Sequence, residues 1–381
     1  MYDRWVAAAN KGQVTGIVFA DLSAAFDLVK PKLLVKKMEV YGINEDTILW
    51  ILSYLTERYQ AVWIDHTFSE FLENSIGVPQ GSNLGPLLFL IFFNDLPTVI
   101  KSDIECYADD STISSTGESL QEIKGILTGD CKSFSNWMGQ NKFKLNVEKT
   151  NLLVVGTAAR LNRIPCIEIQ MDSEILQQKP SKTECLLGII VQEDLKWSSH
   201  IEHLCKKLKQ RLSGLSKLRR IMCKSSKSMV IQGIFQSVLC YCLPLFGGCS
   251  KTELNSLQTL QNGAARIALN LPSRSNRDKM FDTLSWLTVR QLIAFHTLLT
   301  VFRIRTTGQP EYLANILLHE NQRGKIRIKN SHLELYRRSF SYRGSVLWNK
   351  LPESLRNDDK EKTFKKNLSK WIRENISRFD E

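Results

Sequence analysis

The sequence predicts an α+β fold in which an antiparallel sheet is backed by helices on one face. Two observations carry this expectation. Strand and helix periodicities follow one another in the N-terminal part in the order strand, helices, strand, helix, hairpin, helix, strand. Further on the pattern becomes helical, amphipathic and rich in Lys and Arg. With 381 residues, 43% of them hydrophobic, the chain can bury more than one core. The expected division is 1–197, 198–300 and 301–381.

Taken in order, "TGIVFADLSAAFD" is a compact apolar run that reads as a buried strand delivering Asp21 at its C-terminal end. "KPKLLVKKMEVYGI" and "EDTILWILSYLTER" place apolar residues at helical spacing, and "QAVWID" alternates as a strand does. "GVPQGSNLGPLLFLIFFNDLP" is a loop opening onto an apolar helix, with Pro86 suited to the first turn. In "IECYADDSTIS", Ile104, Cys106 and Ala108 alternate before a returning run, which puts Asp109 and Asp110 at a hairpin tip. "SLQEIKGILTGDCKSFSNWMGQN" reads as an amphipathic helix and "FKLNVEKTNLLVVG" as a turn entering a strand. The uncharged stretch 228–250 is long enough to span a bilayer, but Gln232, Gly233, Gln236, Ser237 and Pro244 make a buried helix and turn the better reading.

Charge is unevenly distributed. Residues 1–120 hold 8 Lys and Arg against 16 Asp and Glu, whereas residues 121–381 hold 43 against 23. An acidic front and a basic back fit a cation-binding site flanked by surfaces that grip a polyanion, although a merely soluble basic protein has the same total. Nine cysteines at irregular spacing, without a signal-like start, imply reduced thiols in an intracellular protein, nuclear or cytoplasmic and not secreted.

Adjacent aspartates ordinarily mark a solvated turn. Asp109 and Asp110 facing inward would raise each other's pKa unless a cation favoured the ionised forms. Together with Asp21 they form a set of hard oxygen ligands suited to a pair of divalent cations, roughly 3.5–4 Å apart, that activate a sugar hydroxyl against a triphosphate. In such a phosphoryl transfer, positioning and charge neutralisation do most of the catalysis. Downstream, Lys206, Lys207, Lys209, Arg211, Arg219 and Arg220 alternate with an apolar helical stripe and are candidate phosphate contacts; a solvated face is the other reading. "YRRSFSYRGSVLWNK" interleaves Arg with aromatics, a composition suited to phosphate contacts and stacking.

In sequence order, "VFADLSAAFD", "GVPQGSNLGPLLFLIFFNDLP", "YADDSTI", "LNVEKTNLLVVG" and "LLGIIVQEDLKW" resemble the palm motifs of reverse transcriptases from non-LTR (LINE-type, jockey-like) retrotransposons. "LQTLQNGAARIALNLP" and "SFSYRGSVLWNKLPESLR" resemble the thumb and tail of that group. The resemblance implies a polymerase-type palm, then a helical thumb and a basic C-terminal region. It also implies RNA-directed DNA synthesis with Mg²⁺ or Mn²⁺, an RNA template, a DNA primer and deoxynucleoside triphosphates, without a membrane.

Carried onto this sequence, the resemblance makes Asp21, Asp109 and Asp110 the catalytic metal ligands. Phe26 becomes the bulky residue that excludes ribonucleotides, with core packing as its other reading. Gln80 and Gly81 match a loop contacting the incoming nucleotide and template, where a residue without a side chain lets the backbone come close. Lys149 matches a lysine near the pyrophosphate end, and Gly188 belongs to the region holding the primer end. "CLLG" departs from the aromatic-containing form expected there. Only 20 residues precede Asp21, so the fingers and an upstream endonuclease are expected to be missing, which puts the activity of the truncated chain in doubt. The alternative function is a non-catalytic nucleic-acid-binding remnant.

Overall fold

The computed structural model describes residues 1–146, 148–171, 174–177, 182–218, 221–320, 325–328, 331 and 333–375. These form two compact units, one of Met1 and Lys11–Glu184, the other of Tyr2–Asn10 and Cys185–Glu381.

The strands, numbered in chain order, are β1 (Val14–Ala20), β2 (Tyr59–Gln60), β3 (Trp63–Ile64), β4 (Thr67–Phe68), β5 (Leu72–Glu73), β6 (Asp103–Tyr107), β7 (Asp110–Gly117) and β8 (Asn151–Val155). They are followed by β9 (Glu168–Met171), β10 (Glu174–Gln177), β11 (Thr183–Leu186) and β12 (Ile189–Gln192). The main sheet has the order β6-β7-β1-β8, and every neighbouring pair in it is antiparallel. All seven residues of β1 are buried, as a continuous apolar strand in the middle of a sheet should be. Helix Leu120–Asn141 packs on β1 and β7. Its approach depends on Gly16, where an added Cβ would stand 2.8 Å from side-chain atoms of Ile123 and Leu127. Val18, Ile113, Phe134, Leu152 and Val154 lie in the resulting core.

One strand expectation is corrected. "QAVWID" is not a single strand, because β2 pairs with β5 and β3 with β4 in two small ribbons outside the main sheet. All eight residues of these ribbons are exposed, so the alternation has no core to face.

The second unit is built mainly of helices. Ser198–Leu218, Lys251–Leu269, Val289–Thr307, Phe340–Lys350 and Glu361–Glu374 are the long ones. Reciprocal capping boxes, Ser250 with Glu253 and Thr288 with Gln291, set two of their starts. One core gathers Leu208, Phe235, Phe246 and Leu257, and another Leu298, Phe302, Trp348 and Phe364. Helix Tyr2–Asn10 belongs to this unit, with the Tyr2 hydroxyl donating to the Leu195 carbonyl at 2.5 Å.

The aromatic–arginine tail also needs correction as a stacking surface. Phe340 and Trp348 are buried, and the Arg343 guanidinium is turned inward, donating to the carbonyls of Arg338 (2.9 Å) and Pro244 (2.5 Å). Among the described residues no single helix is long and apolar enough to cross a membrane. The bent pair Arg277–Leu284 and Val289–Thr307 meets that test by length and composition, yet its second member is largely core.

Candidate active site

The register of the sheet sets the position of the carboxylates. Ala20 on β1 faces Ser111 on β7, so Asp21 leaves the strand beside Asp110, which is the first residue of β7. Tyr107 pairs with Asp110 across the hairpin, leaving Ala108 and Asp109 as a two-residue tip. Ala108 takes a left-handed φ of +52° there, a conformation suited to a tight hairpin. Burial, then the charges of Asp109 and Asp21, raise the pKa of Asp110.

The segment after Phe143 wraps past Asp21 and fixes its backbone. Leu22 bridges Leu145, the Asn146 N–H donates to the Asp21 carbonyl at 3.0 Å, and the Ser23 N–H donates to the Lys144 carbonyl at 3.1 Å. Asn146 also shapes the following turn, because its carbonyl accepts from the Thr150 N–H (3.0 Å) and hydroxyl (2.9 Å). That turn brings Lys149 Nζ to 3.8 Å from Asp21 Oδ2. The lysine is well exposed, so solvent screens the pair. Asn146 is a positioning residue that the sequence reading missed. Its role runs through the main chain, and only the Asn-containing turn signal hinted at it.

A second cluster surrounds Phe26. Its half-buried ring stacks on Phe89 with centroids 4.5 Å apart, and the Phe26 carbonyl accepts from the Val78 N–H at 2.9 Å. Gly77 donates to the Val29 carbonyl at 2.7 Å, at φ +78°, with an added Cβ only 2.8 Å from the Asp27 Cα. Glycine is therefore required where this loop crosses the residues after Asp21. Gln80 Nε2 donates to Asp27 Oδ1 at 2.9 Å. Gly81 has a φ of +81°, which by itself favours glycine, and no protein atom among the described residues lies within 4 Å of an added Cβ.

Gln80, Asp27 and Arg58 line a cleft of about 820 Å³. Arg58, which the motifs did not single out, donates to the carbonyls of Leu55 (3.0 Å), Ile76 (2.9 Å) and Gly77 (2.7 Å) and so holds the loop leading to Gln80.

Asp21, Asp110 and Lys149 thus share one edge with Asp109 at the tip, while Phe26 and Gln80 belong to the adjoining loop cluster. The carboxylates supply hard oxygen donors, and their mutual repulsion is the electrostatic condition that a hard cation relieves. Among the described residues, however, no three His, Cys, Asp or Glu side chains are already gathered closely enough to hold a metal. The candidate phosphate contacts lie in the second unit. Lys206, Lys207 and Lys209 are exposed on helix Ser198–Leu218, whereas Arg211 donates to the Ile234 carbonyl at 2.6 Å. Arg219 and Arg220 lie outside the described residues. Gly188 occupies a tight turn with Leu187, at φ +78° and +49° respectively.

An antiparallel sheet that brings aspartates from β1 and the β6–β7 hairpin to one edge agrees with the ordered motifs. The chain belongs to the reverse transcriptase (RNA-dependent DNA polymerase) family, which it matches over residues 4–214. It is 28% identical over 279 residues to the RNA-directed DNA polymerase from mobile element jockey of Drosophila melanogaster, covering 70% of this chain and 29% of that one. It is 27% identical over 297 residues to the probable RNA-directed DNA polymerase from transposon BS of the same species, covering 74% and 32% respectively. The chain therefore spans about a third of the length of these relatives. Apo telomerase from Candida tropicalis is similar in structure at 10% identity and a TM-score of 0.40, over 83% of this chain and 56% of that one, a likeness too loose to argue from.

Proposed function

We propose that this chain carries the catalytic centre of RNA-directed DNA synthesis, extending a DNA primer on an RNA template with deoxynucleoside triphosphates. The observation that carries the reading is the β1–β7 register, which sets Asp21 beside Asp110 with Asp109 at the adjoining tip. Asp21, Asp109 and Asp110 would be the residues holding Mg²⁺ or Mn²⁺. Divalent cations bound there would supply charge neutralisation for the triphosphate and acidify the primer hydroxyl.

The chain's own residues supply position. Asn146 fixes the backbone that presents Asp21, and Lys149 places an exposed positive charge beside that carboxylate. Phe26, braced from behind by Phe89, offers a rigid wall that would exclude a ribose 2′ hydroxyl. Gln80 and Gly81 form the adjoining loop, with Gln80 steadied by Asp27, and would contact the nucleotide and template. In this reading residues 1–197 are a palm, 198–300 a thumb and 301–381 a basic C-terminal region.

A second reading is a binding remnant without turnover. Primer extension with Mg²⁺ on an RNA template separates the two. Synthesis that disappears in Asp110→Asn, and accepts ribonucleotides in Phe26→Ala, supports the polymerase. No extension by the parent chain, with duplex binding retained, selects the remnant.

A further inference from the structure

In the second unit a cavity of about 370 Å³ opens between the Leu187–Gly188 turn, helix Ser198–Leu218 and the residues that follow the π-turn Gln232–Gln236. This volume falls within the range of small-molecule sites. π-turns inside helices frequently accompany functional sites. His200, His203, Leu204 and Lys207 recur at three- and four-residue steps, so a single helix face supplies one wall. Tyr241 closes another side, its hydroxyl donating to the Leu187 carbonyl at 2.7 Å, while about half of the residue stays exposed. None of the lining residues is acidic.

His200 marks the cavity as more than a surface dimple. The residue is only 4% exposed, and its Nδ1 accepts from the Ile190 N–H at 3.3 Å. Burial, with a smaller push from His203, lowers its pKa to about 4, so the ring is neutral at pH 7 and carries its proton on Nε2. That Nε2 is buried without a hydrogen-bond partner. The neutral, buried ring forms part of the cavity wall.

We propose that this cavity receives one unpaired nucleotide unit, its base lying against Tyr241 and Leu204 and its phosphate meeting Lys207. An aromatic face accepts any base, and a lysine beside it supplies the charge that a phosphate needs. The choice of a nucleotide over other flat anions rests on the reading of the chain as a nucleic-acid enzyme.

Calorimetric titration of the full chain with 5′-AMP, adenosine and inorganic phosphate tests it. AMP should bind at least roughly tenfold more tightly than either part alone, because charged and stacking contacts act together. Lys207→Gln should weaken AMP by about tenfold and leave adenosine unchanged, whereas Val238→Trp, which fills the cavity, should abolish both. The exposed Lys207 variant keeps the test decisive if Val238→Trp does not fold. Absence of AMP binding, or AMP binding indifferent to Lys207→Gln, overturns the site. Displacement of AMP by a single-stranded RNA of about ten nucleotides at lower concentrations than its duplex requires assigns the unit to a strand, in keeping with stacking of unpaired bases. Bound AMP that the strand cannot displace assigns the site to free nucleotides. Because the readout is binding, a chain that makes no DNA but holds AMP through Lys207 would sink the polymerase reading and leave this site standing.

Discussion

Asp3 and Ser341 stand 338 positions apart in sequence and are joined by a 2.6 Å hydrogen bond from the Ser341 N–H to Asp3 Oδ2. The other carboxylate oxygen accepts from the Phe340 N–H at 3.1 Å, and the Ser339 hydroxyl accepts from the Tyr342 N–H at 3.4 Å. Three of the unpaired N–H groups at the start of helix Phe340–Lys350 are thereby satisfied, two of them by the N-terminal helix. Asp3→Ala should cost about 1–3 kcal/mol, because it leaves two buried donors unpaired, and Asp3→Asn less, since one acceptor survives. Urea unfolding followed by tryptophan fluorescence measures the difference. An unchanged midpoint for Asp3→Ala would show that this cap contributes nothing.

Asp110 should trade stability for charge. Burial and the neighbouring Asp109 and Asp21 raise its pKa in the folded chain, so its contribution to stability is complete below the unfolded pKa and is lost as pH rises through the folded value. At neutral pH the folded chain therefore bears the repulsion, which solvent partly screens at this exposed residue, and Asp110→Asn should melt higher. The gain should fade as the solution is taken toward pH 3. Mg²⁺ should raise the melting temperature of the parent chain by mass action and lose that effect in the variant. Equal melting at both pH values would contradict the electrostatic account.

How far the sequence was legible follows the range of the interactions. The buried β1 run, the β6–β7 hairpin and helix Leu120–Asn141 announce themselves by local periodicity, and so the edge that presents Asp21 and Asp110 could be anticipated. Asn146 could not, because its partner is a main-chain carbonyl that any residue at position 21 would offer. The alternation of "QAVWID" lacked a long partner strand, a fact absent from the segment itself. Arg343 reads as a surface cation until the carbonyls of Arg338 and Pro244 are seen to receive it. The membership of helix Tyr2–Asn10 in the second unit depends on contacts more than 300 positions away, such as that between Asp3 and Phe340.

Acid should weaken the second unit through His200. Its folded pKa of about 4 lies below the ordinary 6.5, so the stability it contributes is present above the unfolded value and is lost as pH falls toward 4. The loss is bounded at roughly 3 kcal/mol for a shift of this size. His200→Phe, which keeps a ring between Trp197 and Phe246, should flatten the stability profile between pH 6.5 and 4. Unfolding midpoints at half-unit intervals would reveal it, and an unaltered slope would mean that another group titrates there.

The basic face of helix Ser198–Leu218 should reveal itself through salt. Lys206, Lys207 and Lys209 project into solvent, and each phosphate that such a side chain neutralises contributes about −0.9 to the slope of log affinity against log salt. Converting all three to Gln should flatten that slope by up to about 3 for a primer–template duplex and weaken all sequences alike. Arg211 gives an internal contrast. Its guanidinium is already engaged by the Ile234 carbonyl, so Arg211→Gln should lower stability by about 1 kcal/mol while moving the salt slope little. Asp110→Asn should leave duplex affinity nearly intact, as the proposed role of its carboxylate in chemistry requires. Affinity measured by fluorescence anisotropy across a salt series resolves these cases. A triple variant with the parental slope would make this helix face a solvated surface, and the duplex would then have to be held by other cations, since the tail around Phe340 and Trp348 is committed to the core.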